Sequence, residues 1–333
     1  MEIITSNNDR FWTYWTEITK TVDFQHPAYS EVGLKFYKEY FFSDKAILDQ
    51  SFIVINENVP LIGVILSITH DDSQVKLSGF GRGINYMENN EPHCVGMKSA
   101  RKFFKKQFNS LVDEHKVNSI FFRDYTSTLG NLSILARHLL DMGAESQIIF
   151  MQLIDLNNSL EDIHSDLAKS CRHGINWGRK NIEISHFDSS TITMEQVENL
   201  RQMHIQEAGR ETRTKKSWEI MYDMIVNNVA FIIEGRIEGS LVTSSLFYLN
   251  SRVCLYAVSA SSRSLFDKPL GHIILWEAIT QAKSLGCNYF DLGDLSYSSP
   301  NNTVSKKEMN INRYKKNFGG ETKIQLSLNW NAK

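Results

Sequence analysis

A lysine and two aspartates carry the strongest chemical signal in this sequence. Asp291 and Asp294 close the run YFDLGD, in which Tyr289, Phe290 and Leu292 supply the apolar body of a short strand. A buried strand that ends in polar residues and glycine opens at its carboxyl end into a crevice, where ligands bind in α/β sheets. Downstream, the pattern over 306–317 predicts a helix, with Ile311, Tyr314, Lys315 and Phe318 at spacings of three, four and seven. Lys315 therefore falls inside an apolar stripe beside Tyr314. A lysine so placed either lays its alkyl stem on the core and sends its ammonium to water, or lines a pocket as a fixed cation.

The elements that must position these residues are legible around them. Over 270–285, Leu270, Ile274, Ala278, Ala282 and Leu285 recur every three or four residues, and Gly286 stands where a left-handed helix cap belongs. Strands are expected at 229–234, 240–248 and 253–258 ahead of this helix and at 289–292 after it. The first half shows a similar order. A helix over 11–22 and a loop at FQHPAY precede strands at 51–55 and 61–68, joined as a hairpin through NENVP, and a strand at 75–78. A helix over 97–114, a strand at 119–123, a helix over 132–142 ended by Gly143 and a strand at 147–156 follow. The repeated order implies an α/β chain of mixed α+β sheets built from two copies of one fold. The turn-rich DLNNSLED marks the boundary, giving domains at 1–157 and 158–333.

Composition narrows the class. The 333 residues are 42% apolar and 11% aromatic, enough for large cores in a soluble globular protein, and the formal charge of −2 gives no general pull toward DNA. Cys94, Cys171, Cys254 and Cys287 lack Cys-x-x-Cys or Cys/His ligand spacing, so neither a metal site nor a disulfide framework is expected. The acidic, signal-free N-terminus and the absence of an apolar run near the ~20 residues of a membrane span point to an unanchored cytoplasmic protein.

Other charged positions leave two readings each. Wound as a helix, 167–180 puts Lys169, Arg172, His173, Asn176 and Lys180 on one face, which is either solvated or an anion-binding surface. His204 lies on the apolar face of a helix over 194–209, as a packed core histidine or a base. GRETRTKKS, with Arg210, Arg213, Lys215 and Lys216, is a solvated turn or an anion-binding rim before a helix that Ser217 would cap. GFGRG at 79–83 lacks the following helix N-terminus that a phosphate cradle requires.

Three features together resemble the FemAB-like peptidyl transferases and the wider GNAT-type N-acyltransferases. They are a proline before a long helix, then AKSLGCNYFDLGD, then an aromatic-Lys-x-x-Phe-Gly-Gly element formed by Tyr314, Lys315, Phe318, Gly319 and Gly320. The resemblance covers mainly 167–321. It implies two tandem GNAT-like domains, with an acyl donor bound where the strands at 253–258 and 289–292 splay, beside Tyr256. It also implies that Tyr314 and Lys315 place the donor end and stabilise the transition state. Lys315 would then be the cation facing the developing oxyanion, and Asp291 and Asp294 either accept the amine proton or satisfy loop amides. Arg172, Lys180, Arg213, Tyr256, Arg263 and Phe318 are the substrate-binding candidates.

The family's CoA enzymes hold the pyrophosphate on a glycine-rich turn at the start of the central helix. This chain has SSRSLFDKPLGH there, with only Arg263, Lys268, Gly271 and the helix N-terminus to serve, and Pro269 without an amide donor. The departure favours an aminoacyl-tRNA donor, with no tightly bound cofactor and no metal. The acceptor would be an amine on a small molecule or on a lipid- or nucleotide-linked cell-envelope precursor such as that of peptidoglycan. Two alternatives stand beside this reading. One is an acyl-CoA-dependent N-acyltransferase acting on an amino sugar or amino acid, and the other a non-catalytic tandem module that binds a glycan or protein.

Overall fold

The computed structural model describes residues 1–333 except 44, 72–73, 93, 299–302 and 333. In chain order the described residues form β1 (Glu2–Thr5), α1 (Phe11–Thr21), α2 (Glu31–Phe42), β2 (Ile47–Asp49), β3 (Phe52–Asn56), β4 (Val59–Ile65), β5 (Ser67–Asp71), β6 (Gln74–Ser78), β7 (Asn85–Glu88), α3 (Met97–Glu114), β8 (Ser119–Asp124), α4 (Ile134–Asp141) and β9 (Glu145–Asp155). They continue as α5 (Leu160–Asp166), α6 (Lys169–Asn181), β10 (Glu183–Phe187), α7 (Met194–Ala208), α8 (Lys215–Val226), β11 (Ala230–Ile237), β12 (Ser240–Leu249), β13 (Val253–Ser261), α9 (Leu270–Ser284), β14 (Tyr289–Leu295), α10 (Lys306–Lys316) and β15 (Glu321–Asn331). The chain divides into two compact units. One comprises Met1–Gln25, Tyr37–Ile149 and Ile324–Lys333, the other His26–Phe36 and Phe150–Lys323.

In the first unit β1, β3, β4 and β7 form an antiparallel sheet, while β2, β5 and β6 pair antiparallel, with β6 parallel to β8. Phe104 and Phe108 of α3 and Leu135 and Leu139 of α4 are fully buried against these strands. The apolar run expected as a single strand at 61–68 is two strands, because the chain leaves one sheet for another at Leu66. Ser51 stands in for a ladder partner there: its hydroxyl donates to the Leu66 carbonyl at 3.2 Å and accepts from the Leu66 amide at 3.1 Å. Leu66 stays fully buried across the switch, so the hydropathy shows no break. GFGRG is a packed turn. Gly79 and Arg82 exchange backbone hydrogen bonds of 2.8 and 3.2 Å, and strand β7 follows.

The second unit orders its strands β10, β11, β12, β13, β14, then β9. Neighbours are antiparallel except β13 and β14, which run parallel, as a strand–helix–strand crossover through α9 requires. Eight residues of α9 are buried, and Gly286 adopts φ 82° just past its end, as the sequence pattern predicts. Helix α6 crosses α9 at close range through Gly174 and Gly178. A Cβ on Gly178 would stand 2.5 Å from Ile273 Cβ, and one on Gly174 2.8 Å from the His272 ring. These glycines hold the start of α9 fixed, and leave Lys169, His173, Asn176 and Lys180 on the exposed face of α6.

Two local expectations are corrected. Helix α8 begins two residues before Ser217, and its cap is Thr214, whose hydroxyl accepts from the Ser217 amide at 3.1 Å while Ser217 is fully buried. Ile311 is 42% exposed rather than part of the apolar stripe of α10. Asn312 takes the inward position instead: its amide donates to the Ser296 carbonyl at 2.5 Å and its oxygen accepts from the Ser296 amide at 3.0 Å. This strand-like pairing sets the rotation of α10 against the chain leaving β14.

Candidate active site in the second unit

Parallel pairing between β13 and β14 is short. It covers Val253 with Tyr289, Cys254 with Phe290 and Leu255 with Asp291, after which β13 continues to Ser261 and β14 to Leu295 without pairing to each other. Both strands carry an irregularity near that point. The β12–β13 register shifts at Leu246/Phe247, and the β14–β9 register shifts between Asp291 and Asp294, where Gly293 adopts φ 86°. The two strands thus part immediately after Asp291, and Tyr256 is the first residue of β13 beyond the last rung.

Lys315 reaches this opening from α10. Its ammonium donates to the Asp294 carbonyl at 2.7 Å and would lie 3.2 Å from a Cβ on residue 293, and the φ of 86° at Gly293 is the conformation that calls for glycine there. Burial pushes the Lys315 ammonium below the ordinary lysine range, and the charges of Asp291 and then Asp294 work against that shift. Asp291 is buried, and its Oδ1 accepts from the Gly293 amide at 2.7 Å. Asp294 points its side chain to solvent. One aspartate thus shapes the bulge beneath the cation while the other stays exposed beside it.

Tyr314 sits one residue away on a different wall. Its hydroxyl would lie 2.8 Å from a Cβ on residue 271, so only glycine at the start of α9 lets the phenol lie over that helix terminus. The ring packs edge-on against His272 at 5.1 Å and Phe318 at 5.4 Å. Burial raises the Tyr314 phenol well above its usual range, helped by Tyr256 and Cys171, which keeps it a neutral hydrogen-bonding group. Phe318 is fully buried beneath this ring and belongs to the core, as a support for Tyr314. The glycine pair after it is a turn. Gly319 and Gly320 adopt φ of 73° and 71°, and the Gly320 amide donates to Asp166 at 2.7 Å.

Tyr256 and Tyr314 line a cavity of about 300 Å³ with Glu207, Ser259, Ser261 and Lys268, at the start of α9. Its size is at the lower end for small-molecule sites. Tyr256 stacks on Phe247 at 5.7 Å, and burial raises its phenol against hydrogen bonds from Ser259 and Ser245. Lys268 pairs with Asp267 at 2.8 Å, and the Arg263 guanidinium donates to the Glu207 backbone carbonyl. Helix α9 itself has no side-chain cap. A cavity of similar size, about 320 Å³, lies in the first unit. Its central charges satisfy one another, since Glu88 accepts from Arg101 at 2.6 and 3.0 Å and from the Tyr86 hydroxyl at 2.5 Å.

The remaining basic candidates are distributed around the unit. Arg172 turns back along its own helix and donates to the carbonyls of Ser165 at 2.9 Å and Leu167 at 2.5 Å, closing the end of α5. Lys180 is exposed at the far end of α6. Arg213 lies over the Trp218 ring at 5.4 Å and donates to His204 Nε2 at 3.1 Å. That contact requires a neutral imidazole, in keeping with burial and the Arg213 charge lowering the His204 pKa. The structure therefore brings Lys315, Tyr314, Asp291, Asp294 and Tyr256 together around the splay and ties Arg263 to the backbone of the cavity residue Glu207.

Glu207 is the cavity residue that sequence reasoning missed. Leu200 and Met203 place it on the buried stripe of α7, a carboxylate in an apolar line, which is the same signal that singled out Lys315. Among the described residues no group of three or more His, Cys, Asp or Glu is arranged to hold a metal, and no helix is long and apolar enough to cross a membrane.

No protein-family model and no curated protein matches the sequence. Solved structures do match. FemX aligns over 100% of this chain and 98% of its own, with a TM-score of 0.72 and 11% identity. L-PGS from Bacillus licheniformis aligns over 99% and 94%, with a TM-score of 0.61 and 10% identity. A tandem GNAT protein from the clavulanic acid biosynthesis pathway aligns over 100% and 98%, with a TM-score of 0.52 and 12% identity. The chain thus has the fold of FemAB-like and tandem GNAT acyltransferases, a mixed α/β architecture.

Proposed function

We propose that the second unit is the active site of an N-acyltransferase that moves an aminoacyl group from aminoacyl-tRNA to an amine of a small molecule or cell-envelope precursor. The observation that carries this reading is the half-buried ammonium of Lys315 at the mouth of two splayed strands, beside a phenol held over a helix terminus. The acceptor amine attacks the ester carbonyl, forming the new C–N bond and an oxyanion that Lys315 stabilises. The C–O ester bond then breaks, the amine loses a proton to Asp294 or water, and the tRNA ribose oxygen gains one. Tyr256 and Tyr314 hold the acyl end in place.

The donor assignment rests on the start of α9. Lys268 is paired with Asp267 and Arg263 with a backbone carbonyl, and Pro269 contributes no amide, so little is left to hold a CoA pyrophosphate. Acyl-CoA is the second reading, supported by the uncapped α9 terminus beside the cavity and by the tandem GNAT relative, which is described in relation to AcCoA. Transfer in a cell extract separates the two. Ribonuclease abolishes it if the donor is aminoacyl-tRNA, whereas ribonuclease-resistant transfer driven by added acyl-CoA would replace the first reading with the second. Transfer from neither donor would favour a binding module.

A further inference from the structure

We propose that Glu207 makes the cavity selective for a donor bearing a free α-ammonium group. The inference rests on the acyl-transfer reading of this cavity and adds the chemistry by which it chooses its donor. Glu207 lines the cavity, and its Oε2 accepts from the Ser261 amide at 2.8 Å, which fixes the carboxylate against β13. Among the described residues no cation pairs with it. The nearby Arg263 bonds the Glu207 backbone carbonyl instead of the carboxylate, and Lys268 is engaged by Asp267. Of the other polar lining groups, Tyr256, Tyr314, Ser259 and Ser261 are uncharged, and burial lowers the His272 imidazole below its ordinary range, which favours its neutral form. A negative charge fixed by one amide and left without a counter-ion favours a positively charged ligand group.

A ligand suited to Glu207 carries a cation close to its reacting acyl group. The aminoacylated 3′ end of a nucleic acid has this form: a ribose ester with an α-ammonium next to the acyl carbon, protonated at neutral pH for a group titrating at about 8. An acyl-CoA has no cation beside its acyl group and leaves the Glu207 carboxylate without a counter-ion.

The test uses two hydrolysis-resistant probes, 3′-glycylamino-3′-deoxyadenosine 5′-phosphate and its N-acetyl derivative, with affinities measured calorimetrically on the full chain. Wild type is expected to prefer the free amine by on the order of ten- to a hundred-fold, the range for a charge-assisted hydrogen bond. Glu207→Gln, which still accepts the Ser261 amide, is expected to lose the preference while binding the acetylated probe as before. The wild-type preference must also fade as pH rises past the pKa of the probe's amine, a measurement that needs no variant. Equal wild-type affinities, or a preference kept in Glu207→Gln, would overturn the role of Glu207 alone. Failure of both probes to bind wild type would overturn the aminoacyl-donor reading together with it.

Discussion

Replacing Lys315 with methionine removes the cation and keeps a flexible apolar side chain of similar length. In the native structure the ammonium is held 2.7 Å from the Asp294 carbonyl at the opening where β13 and β14 part. Loss of a fixed cation from a partly dry oxyanion site costs about 3 kcal/mol of barrier, or roughly a 150-fold fall in turnover. Stability should change far less. The variant loses one charge-assisted hydrogen bond, but it also no longer buries an ammonium whose lowered pKa shows that burial opposes the charge. These opposing changes leave a net effect within about 1.5 kcal/mol. Initial rates of amino-acid transfer from labelled aminoacyl-tRNA, measured alongside thermal melting, separate the two quantities. Unchanged melting with full activity would refute the assignment of Lys315 to the transition state.

Further outcomes follow from the same geometry. Activity that depends on the Lys315 cation should fall as pH rises through its depressed pKa, below the ordinary value of 10.5, and this alkaline limb should vanish in Lys315→Arg. The linkage has the matching sign: the cost of burying the charge is present below the folded pKa and is relieved as pH rises through it. Gly178→Ala drives a methyl into Ile273 and should destabilise by about 1–3 kcal/mol in chemical denaturation. Arg172→Ala should lower stability by about 1.5–3 kcal/mol, because its guanidinium closes the end of α5. Lys180→Ala should leave melting unchanged and weaken acceptor binding in a salt-dependent way if the α6 face contacts phosphate. Wild-type affinity in Lys180→Ala would make that face simply solvated.

The frame of the second unit was legible because its signals are local. The period of α9, the glycine after it and the apolar run of β14 each depend on neighbours a few residues away, and the structure has all three. Lys315 stood out because a charge in an apolar stripe is visible without coordinates. Glu207 carries the same mark, but His204 on the same helix drew the attention, and the cavity depends on β13 residues more than fifty positions away, such as Ser261. The basic face of α6 shows a different limit. Helical periodicity places the Arg172 Cα correctly, yet the long side chain folds back to carbonyls that no wheel displays. The rotation of α10 was hidden for a related reason: Asn312 is buried because it imitates a strand neighbour for Ser296, and hydropathy ranks Ile311 above it.

The donor is the point on which the account turns, and native mass spectrometry of the protein with its co-purifying small molecules and RNA addresses it directly. The predicted result is a retained species with the mass of tRNA, lost on ribonuclease treatment and restored by adding aminoacyl-tRNA. A retained acyl-CoA, unaffected by ribonuclease and competing with the aminoacyl nucleotide probe, would contradict it.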